Sequence, residues 1–421
     1  MLSREENELL CRTGVQTPMG AMLRRYWIPA LMSDELEAGG APKRVRLLGE
    51  NLVAFRDTLG RAGILDENCP HRGASLVLAR NEECGLRCLY HGWKIDVTGR
   101  VLETPPEPDE LNFKDKVRAP AFPVRESGGF VWTYLGPPGT EPALPDFEFT
   151  AVPAAQRNVM KVRLECNWVQ GIEGVIDSAH TNYLHADGIT PAANLATTAY
   201  TGGTSVGRPS NDGKPRMELD DTAYGLRYAA IRNPLVDPDR QAYVRVTLFV
   251  APFYGVFPAP AGWGFLQAFV PIDDGATMLY YVQHRYDGEI DAATRERNAA
   301  RAGMRPGIDF DAAYRKVQSR ANTWLQDREM MRRDAFSGIS GIQNQDMAVQ
   351  ESMGTLFDRT KEHLGTCDAA VIRMRRLMLE SVRKFTEHGV TPLGLDAGVS
   401  YSTLRAEEMM VPLDSSLRFF A

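Results

Sequence analysis

The chain has 421 residues, 43% of them hydrophobic, and a formal net charge of −6. This length predicts two or three domains with well-packed cores, and an acidic balance without basic runs argues against nucleic acid as a partner. The acidic N-terminus lacks an apolar run, so no secretory signal is predicted. The most apolar stretch, 243–270, is interrupted by Arg245, prolines and glycines, and it predicts two strands and a turn rather than a membrane span.

The first third of the chain is predicted to be helical and then all-β. Residues 1–40 are expected to be mostly helical, whereas 43–140 read as strands separated by glycine turns. Two strands around a turn are predicted within 45–55, and a closing strand at 128–135. A proline-rich segment at 136–146 follows and indicates a linker. We therefore place a first domain at 1–150 and a second at 151–421.

The second domain alternates strands with helices. Strands are predicted at 158–164, 226–232, 242–250 and 278–285, and helices at 167–184, 292–302, 310–334 and 368–388. Gly389 is expected to end the last helix. The pattern predicts an antiparallel sheet covered by helices, an α+β arrangement.

Two cysteine–histidine pairs stand out in the first domain: Cys69-x-His71 and, after sixteen residues, Cys88-x-x-His91. A Rieske [2Fe–2S] cluster takes two cysteines on one iron and two histidines on the other. The alternative is a structural zinc site, but zinc fingers group cysteine with cysteine and histidine with histidine. Here each pair mixes the two residue types, which favours the Rieske cluster. The other cysteines follow no pairing pattern and indicate a reducing cytoplasm: Cys11, Cys84, Cys166 and Cys367.

A second metal motif follows in the predicted helix at 167–184. His180 and His185 are five residues apart, so a helix that loosens near Tyr183 would aim both imidazoles at one point. Two histidines and a carboxylate form the facial triad of non-haem Fe(II) oxygenases, which leaves open positions for oxygen and substrate. After a Rieske motif, this spacing predicts a mononuclear iron site.

With these motifs the chain resembles the Rieske non-haem iron oxygenases, in particular the oxygenase (alpha) subunits of the phthalate dioxygenase-like branch. The resemblance runs nearly end to end and includes both cysteine–histidine loops, the second metal motif, and the segments SREENELL at 3–10, TPMG at 17–20 and RYW at 25–27. It implies an all-β Rieske domain, a catalytic domain of the helix-grip type, and an NADH-dependent aromatic-ring-hydroxylating dioxygenase containing a [2Fe–2S] cluster and Fe(II).

The resemblance points to Asp346 as the third iron ligand. From the residues alone, Asp346 is expected to start a helical stretch beside buried Met347 and Val349, where a charged group needs a metal or a cation. Helix capping remains the ordinary role for it and for its rivals, which are Asp334, Glu351 and Asp358.

Asp177 precedes His180 by three residues and is expected on the same helical face, where its carboxylate accepts the second ring N–H of that histidine. The alternative is a capping residue. The resemblance implies that Asp177 also reaches His91 of a neighbouring subunit. We hypothesise that electrons pass between the two centres along that connection, which predicts head-to-tail contacts that close into a ring. The resemblance implies that this ring is a trimer, or two trimers stacked as a hexamer.

The substrate is less defined by the sequence. Arg245 in a predicted strand needs a carboxylate partner if it is buried, and that partner is either an aromatic acid or an internal Asp or Glu. Arg208, in a glycine-rich loop at 202–208 expected to be a mobile lid, is a second candidate. Arg227 and Arg232 are further possibilities, whereas ordinary structural roles are expected for His284, His363 and His388.

The resemblance implies cis-dihydroxylation of phthalate, isophthalate or a related benzoate, with O-demethylation of a methoxybenzoate such as vanillate as the alternative. A Rieske electron carrier without catalysis is a third possibility, against which the second metal motif argues. No Gly-x-Gly-x-x-Gly fingerprint and no plant-type ferredoxin motif is present, so a separate reductase is predicted. The resemblance implies a flavin and ferredoxin-type reductase.

Overall fold

The computed structural model describes residues 1–192, 206–333, 335–396, 398–413 and 419–420. The chain forms two compact units, Thr13–Pro145 and the combination of Met1–Arg12 with Asp146–Ala421. The leading helix α1 (Arg4–Cys11) belongs to the larger unit, where the Asn7 side chain donates to the Phe357 carbonyl at 3.0 Å. Long-range contacts of this kind, which no local pattern encodes, decide which unit a terminal helix joins.

The smaller unit is built almost entirely from strands, as predicted. After the short helix α2 (Pro18–Leu23), eleven strands form three antiparallel sheets, with the orders β1-β11-β10, β2-β3-β4-β9 and β5-β6-β7-β8. The strands are β1 (Trp27–Met32), β2 (Lys43–Leu47), β3 (Glu50–Arg56), β4 (Ala62–Asp66), β5 (Arg80–Glu82), β6 (Gly85–Arg87), β7 (Lys94–Ile95), β8 (Val101–Glu103), β9 (Ala121–Phe122), β10 (Val124–Ser127) and β11 (Phe130–Tyr134).

The predicted helical character of residues 1–40 is wrong in its second half. Trp27–Met32 is a strand, and Trp27 pairs with Tyr134 of the closing strand β11. Aromatic and branched side chains fit a half-buried sheet surface well, and here pairing with a distant strand overrides the local helical signal.

The larger unit is organised around one eight-stranded antiparallel sheet. Its order is β12-β20-β19-β18-β17-β16-β15, and β21 pairs with β17 off this path. A small parallel pair, β13 with β14, lies apart from this sheet. The strands are β12 (Arg157–Leu164), β13 (Ile189–Pro191), β14 (Val206–Arg208), β15 (Arg216–Thr222), β16 (Gly225–Arg232), β17 (Gln241–Val250), β18 (Tyr254–Phe257), β19 (Trp263–Asp273), β20 (Ala276–Arg285) and β21 (Glu407–Pro412).

Helices pack on this sheet and on one another, which confirms the predicted α+β class. The helices α4 and α8 contact the sheet, and α7 packs against both α4 and α5. Gly389 ends α8 in a left-handed conformation with φ of 65°, as predicted. The helices are α3 (Glu148–Ala151), α4 (Trp168–Val175), α5 (Ala292–Ala302), α6 (Arg328–Arg333), α7 (Ile342–Ser352) and α8 (Ala369–His388). None of the described helices is long and apolar enough to cross a membrane.

Two predicted helices differ from the structure. The helix predicted at 310–334 is largely absent: a 3-10 segment, Arg320–Leu325, precedes α6, and Asp334 lies outside the described residues. Long-range bonds hold this region, since the Trp324 indole donates to Glu351 at 2.7 Å. The stretch 243–270 contains parts of three strands, β17, β18 and β19, rather than two. The apolar pattern did not separate them, because β19 is buried along nearly its whole length and lacks alternation.

Candidate metal centres and the adjoining cavity

The two cysteine–histidine motifs lie in two matching turns of the smaller unit. The Cys69 amide donates to the Ala74 carbonyl at 2.8 Å, and the Cys88 amide donates to the Trp93 carbonyl at 2.8 Å. In each turn a glycine, Gly73 or Gly92, has a φ near +74°, a conformation that other residues rarely adopt. The two turns therefore present a cysteine and a histidine each in equivalent positions.

The four side chains of these turns converge. The His71 and His91 rings have centroids 4.4 Å apart, and His71 stacks on Trp93 at 4.6 Å. Cys69 and Cys88 are buried beside one another, and burial raises the pKa of the Cys69 thiol to about 11, although the amides of His71 and Arg72 donate to its sulfur. A buried His91 Nδ1 lacks a hydrogen-bond partner.

Neighbouring buried thiols and an unpartnered imidazole nitrogen form an unfavourable group until a metal cluster takes them as ligands. Two sulfur and two nitrogen donors of this kind fit a [2Fe–2S] cluster.

A second group of donors forms in the larger unit. His180 Nε2 and His185 Nε2 are 3.2 Å apart, and Asp346 Oδ1 lies 3.4 Å from the first and 3.1 Å from the second. Ligands at neighbouring corners of an octahedron, with bonds of roughly 2.1 Å as for zinc, would be about 3 Å apart. These three side chains therefore fit one metal ion on a single face of its coordination sphere.

The local structure differs from the predicted one at all three positions. The helix α4 ends at Val175, before both histidines, because the Asp177 carboxylate accepts the Ala179 amide at 2.7 Å and starts a turn. Asp346 lies inside α7 rather than at its start. Of its two neighbours predicted to be buried, Met347 is buried and Val349 is exposed.

Both histidines are oriented through their other ring nitrogen. His180 Nδ1 lies 3.4 Å from Asp177, and His185 Nδ1 lies 2.7 Å from Gln345 Oε1. Burial would lower the pKa of His180, but bonds to Asp177 and Asp346 raise it to about 10, so the site favours positive charge. Sequence reasoning did not identify Gln345, although its position next to Asp346 in a helix was an available signal.

The rival carboxylates have other partners in the structure. Glu351 pairs with buried Lys316 at 2.9 Å, and Asp358 accepts the Thr360 amide at 3.2 Å. Among the described residues, the one group of at least three His, Cys, Asp or Glu ligand atoms that all lie within 4.8 Å of one another is formed by His180, His185 and Asp346.

A cavity of about 150 Å³ opens beside these three side chains. A cavity of this size accommodates one aromatic ring. Its wall combines apolar side chains with two arginines, Arg245 and Arg301, three carboxylates, Asp177, Asp346 and Glu408, and several amides. Its lining includes Phe257, Phe265, Ile342, Tyr228, Thr247, Arg245, Glu408, Gln267, Gln283, Asn298 and Gln343. Sequence reasoning missed the amides and Glu408, since they are dispersed along the chain with no shared spacing.

Three arginines interact electrostatically in this region: Arg208 and Arg232 are buried, and Arg245 is partly exposed. Arg245 lies on the cavity wall, 3.5 Å from Glu408, so it has an internal carboxylate partner. Arg208 donates to Asn182 and Thr181, and Arg232 donates to Ser178, so both hold the segment that carries His180. Residues 202–205 of the predicted lid lie outside the described residues.

The charge around these arginines is strongly positive. Burial and the neighbouring guanidiniums lower the pKa of Arg208 to about 9 and that of Arg232 to about 10. Arg208 Nε and Arg232 Nη1 are buried without an acceptor. Of the other polar candidates, Arg227 pairs with Asp220 at 2.7 Å near the surface, and buried His284 lies 3.6 Å from Glu148. His363 and His388 are exposed.

Two family models together cover nearly all of this chain. The Rieske [2Fe-2S] domain matches residues 26–122, and the LigXa C-terminal domain like family matches residues 133–420. Among solved structures, dicamba monooxygenase bound to 3,6-dichlorosalicylic acid is similar with a TM-score of 0.60 at 18% identity, over 87% of this chain and 99% of that one. That similarity concerns the fold.

Relatives with higher identity extend over most of both chains. The phthalate 4,5-dioxygenase oxygenase subunit of Pseudomonas putida is 43% identical, over 91% of this chain and 87% of its own length. The 3-chlorobenzoate-3,4-dioxygenase oxygenase subunit of Comamonas testosteroni is 36% identical, over 98% and 96%. The 5,5'-dehydrodivanillate O-demethylase oxygenase subunit of Sphingobium sp. is 32% identical, over 92% and 82%. The chain therefore belongs to the Rieske non-haem iron oxygenases, which contain a Rieske [2Fe–2S] cluster and a mononuclear iron, as an oxygenase subunit of the phthalate dioxygenase-like branch.

Proposed function

We propose that this chain is the terminal oxygenase of a multicomponent system that cis-dihydroxylates an aromatic carboxylate such as phthalate, isophthalate or a related benzoate. One observation carries the proposal: a cavity the size of one ring holds the His180, His185 and Asp346 donors and has Arg245 in its wall. The relatives named as phthalate and chlorobenzoate dioxygenase subunits support the same substrate class.

In this proposal, Cys69, His71, Cys88 and His91 hold the cluster, and His180, His185 and Asp346 hold the iron. When bound, the cluster supplies single electrons and the iron activates O₂. Asp177 and Gln345 keep the Nδ1 side of each iron-binding histidine occupied, so that each Nε2 lone pair faces the metal.

The substrate is positioned by the cavity wall. Arg245 would bind its carboxylate through the guanidinium, and buried Arg208 adds positive potential from behind the histidine-bearing segment. Phe257 and Phe265 supply apolar surface for the ring. Because the ring carbon that faces the metal determines the product, positioning sets the regiochemistry.

The partners of this function are also proposals. A separate flavin and ferredoxin-type reductase would supply electrons from NADH. If Asp177 also reaches His91 of a neighbouring subunit, the chain assembles as a trimer or as two stacked trimers. The four cysteines outside the cluster motifs, Cys11, Cys84, Cys166 and Cys367, form no disulfide with one another, which supports the reducing cytoplasm as the location.

Product analysis tests the reaction. The dithionite-reduced, iron-loaded protein is exposed to ¹⁸O₂ with phthalate, isophthalate, terephthalate or vanillate, and products are identified by mass spectrometry. A cis-dihydrodiol carrying both oxygen atoms is expected from one of the phthalates. Formaldehyde released from vanillate alone would replace the proposal with O-demethylation, the activity named for the Sphingobium relative.

The role of Arg245 is tested by Arg245→Gln, with Arg227→Gln as the matched control because Arg227 pairs with Asp220 near the surface. We expect the Arg245 variant alone to lose binding of the acid. Equal binding of the acid by both variants would contradict this role.

A further inference from the structure

The last strand of the chain brings a carboxylate into the cavity. β21 pairs with β17 in a register that sets Glu408 directly opposite Arg245. Glu408 Oε2 accepts the Tyr243 hydroxyl at 2.7 Å and lies 3.5 Å from Arg245 Nη1. Both Glu408 and Arg245 line the cavity.

Glu408 places a negative charge beside Arg245, the cation that would bind the carboxylate of the proposed substrate. Its side chain is 12% exposed and that of Arg245 is 17% exposed, so water screens their interaction weakly. Arg208 and Arg232 interact electrostatically with Arg245 and add two further buried positive charges. In the free protein, Glu408 therefore offsets part of a concentrated positive charge.

We propose that Glu408 is a specificity-determining residue that competes with the substrate carboxylate for Arg245. The inference rests on the proposed function, in which Arg245 binds that carboxylate. A substrate carboxylate bound to the Arg245 guanidinium is separated from the Glu408 carboxylate by no more than that group, so the two anions repel one another. Glu408 thus weakens the binding of acids, and of dianions more than monoanions, without affecting uncharged analogues.

This competition has a functional consequence. Ring dihydroxylation leaves the carboxylate on the product, so an uncompensated arginine cluster would hold substrate and product with similar strength. Uniformly tight binding does not raise the rate of the chemical step, and it slows product release. A resident carboxylate keeps acid binding weak enough for the product to leave.

The test compares Glu408→Gln with Glu408→Asp. Glutamine retains an acceptor for the Tyr243 hydroxyl but removes the charge, whereas aspartate retains the charge on a shorter side chain. Glu407→Gln is the matched control, because Glu407 is the exposed neighbour on the same strand. Binding of phthalate and of its dimethyl ester to the cluster-containing protein is measured by equilibrium dialysis, with circular dichroism as the check of folding.

We expect Glu408→Gln to bind phthalate about tenfold more tightly than the wild type, with unchanged ester binding. Glu407→Gln should bind phthalate like the wild type, and Glu408→Asp, which keeps the charge, should bind it less tightly than Glu408→Gln. Unchanged or weaker phthalate binding by folded Glu408→Gln would overturn the inference, since Glu408 would then only position Arg245 or anchor the strand.

The variant Arg245→Gln distinguishes failure of the Glu408 inference from failure of the proposed function. If Arg245→Gln binds phthalate as tightly as the wild type, Arg245 is not the carboxylate partner, and both the proposed function and the inference fail. If Arg245→Gln loses binding while Glu408→Gln gains none, the inference alone fails.

Discussion

Replacing Gln345 by leucine should weaken the mononuclear metal site without touching any proposed ligand. Gln345 Oε1 lies 2.7 Å from His185 Nδ1, and its amide nitrogen donates to the Ile339 carbonyl at 2.9 Å. This second bond sets the orientation of the amide, so His185 must carry its proton on Nδ1 and present the Nε2 lone pair to the metal.

The expected decrease in metal affinity follows from the loss of the hydrogen bond between Gln345 and His185. Leucine leaves the buried His185 Nδ1–H without an acceptor and frees the ring to rotate. Removing such a supporting hydrogen bond typically costs about 10–100-fold in metal affinity, or about 1.4–2.7 kcal/mol. The cluster lies in the other compact unit, so its absorbance should not change and serves as an internal reference.

The assay is iron content after dialysis against a graded series of chelator concentrations. The wild type should hold about three iron atoms per chain, two of them in the cluster, and Gln345→Leu should release the third at about 10–100-fold lower chelator. Gln350→Leu is the control, because Gln350 is buried on the same helix and packs near Gly174. Equal iron retention by the wild type and Gln345→Leu would refute the reasoning.

Three further outcomes are expected. Asp177→Asn should keep the cluster and the iron, since the amide oxygen can still accept the His180 Nδ1 proton, but nearly abolish turnover, because a neutral amide breaks the hypothesised connection between His180 and His91 of a neighbouring subunit; normal product formation would remove Asp177 from the mechanism. Cys69→Ser should lose the visible absorbance of the cluster while one iron atom per chain remains, and an intact spectrum would contradict the assignment of that ligand. Glu173→Gln should lower the free energy of unfolding by about 3–5 kcal/mol at neutral pH, measured by thermal or urea unfolding, because it leaves buried Arg359 without its carboxylate partner, whereas Arg375 keeps Glu362. Burial would raise the pKa of Glu173, but the two arginines lower it below 4.5, so the carboxylate stabilises the fold above that pH. The difference between Glu173→Gln and the wild type should therefore shrink as the pH falls below 4.5, and a difference independent of pH would contradict this role.

Spacing along the chain was sufficient to predict a site wherever the residues of that site are close in sequence. The two cysteine–histidine motifs each occupy one short turn, so their residue types and intervals predict the cluster without knowledge of the fold. The long helix α8 is equally local, because one face packs on the core and leaves a periodic pattern, and the strands β12, β16, β17 and β20 are buried along most of their length and form short apolar runs.

Tertiary structure decided the features whose parts come from distant segments. The helix predicted through His180 ends at Val175, and a turn held by Asp177 provides the geometry instead. Gln345 and Glu408 approach His185 and Arg245 only when α7 and the last strand pack into place. A single side chain without periodicity leaves no pattern in the sequence, so its role depends on long-range pairing that only the folded chain establishes.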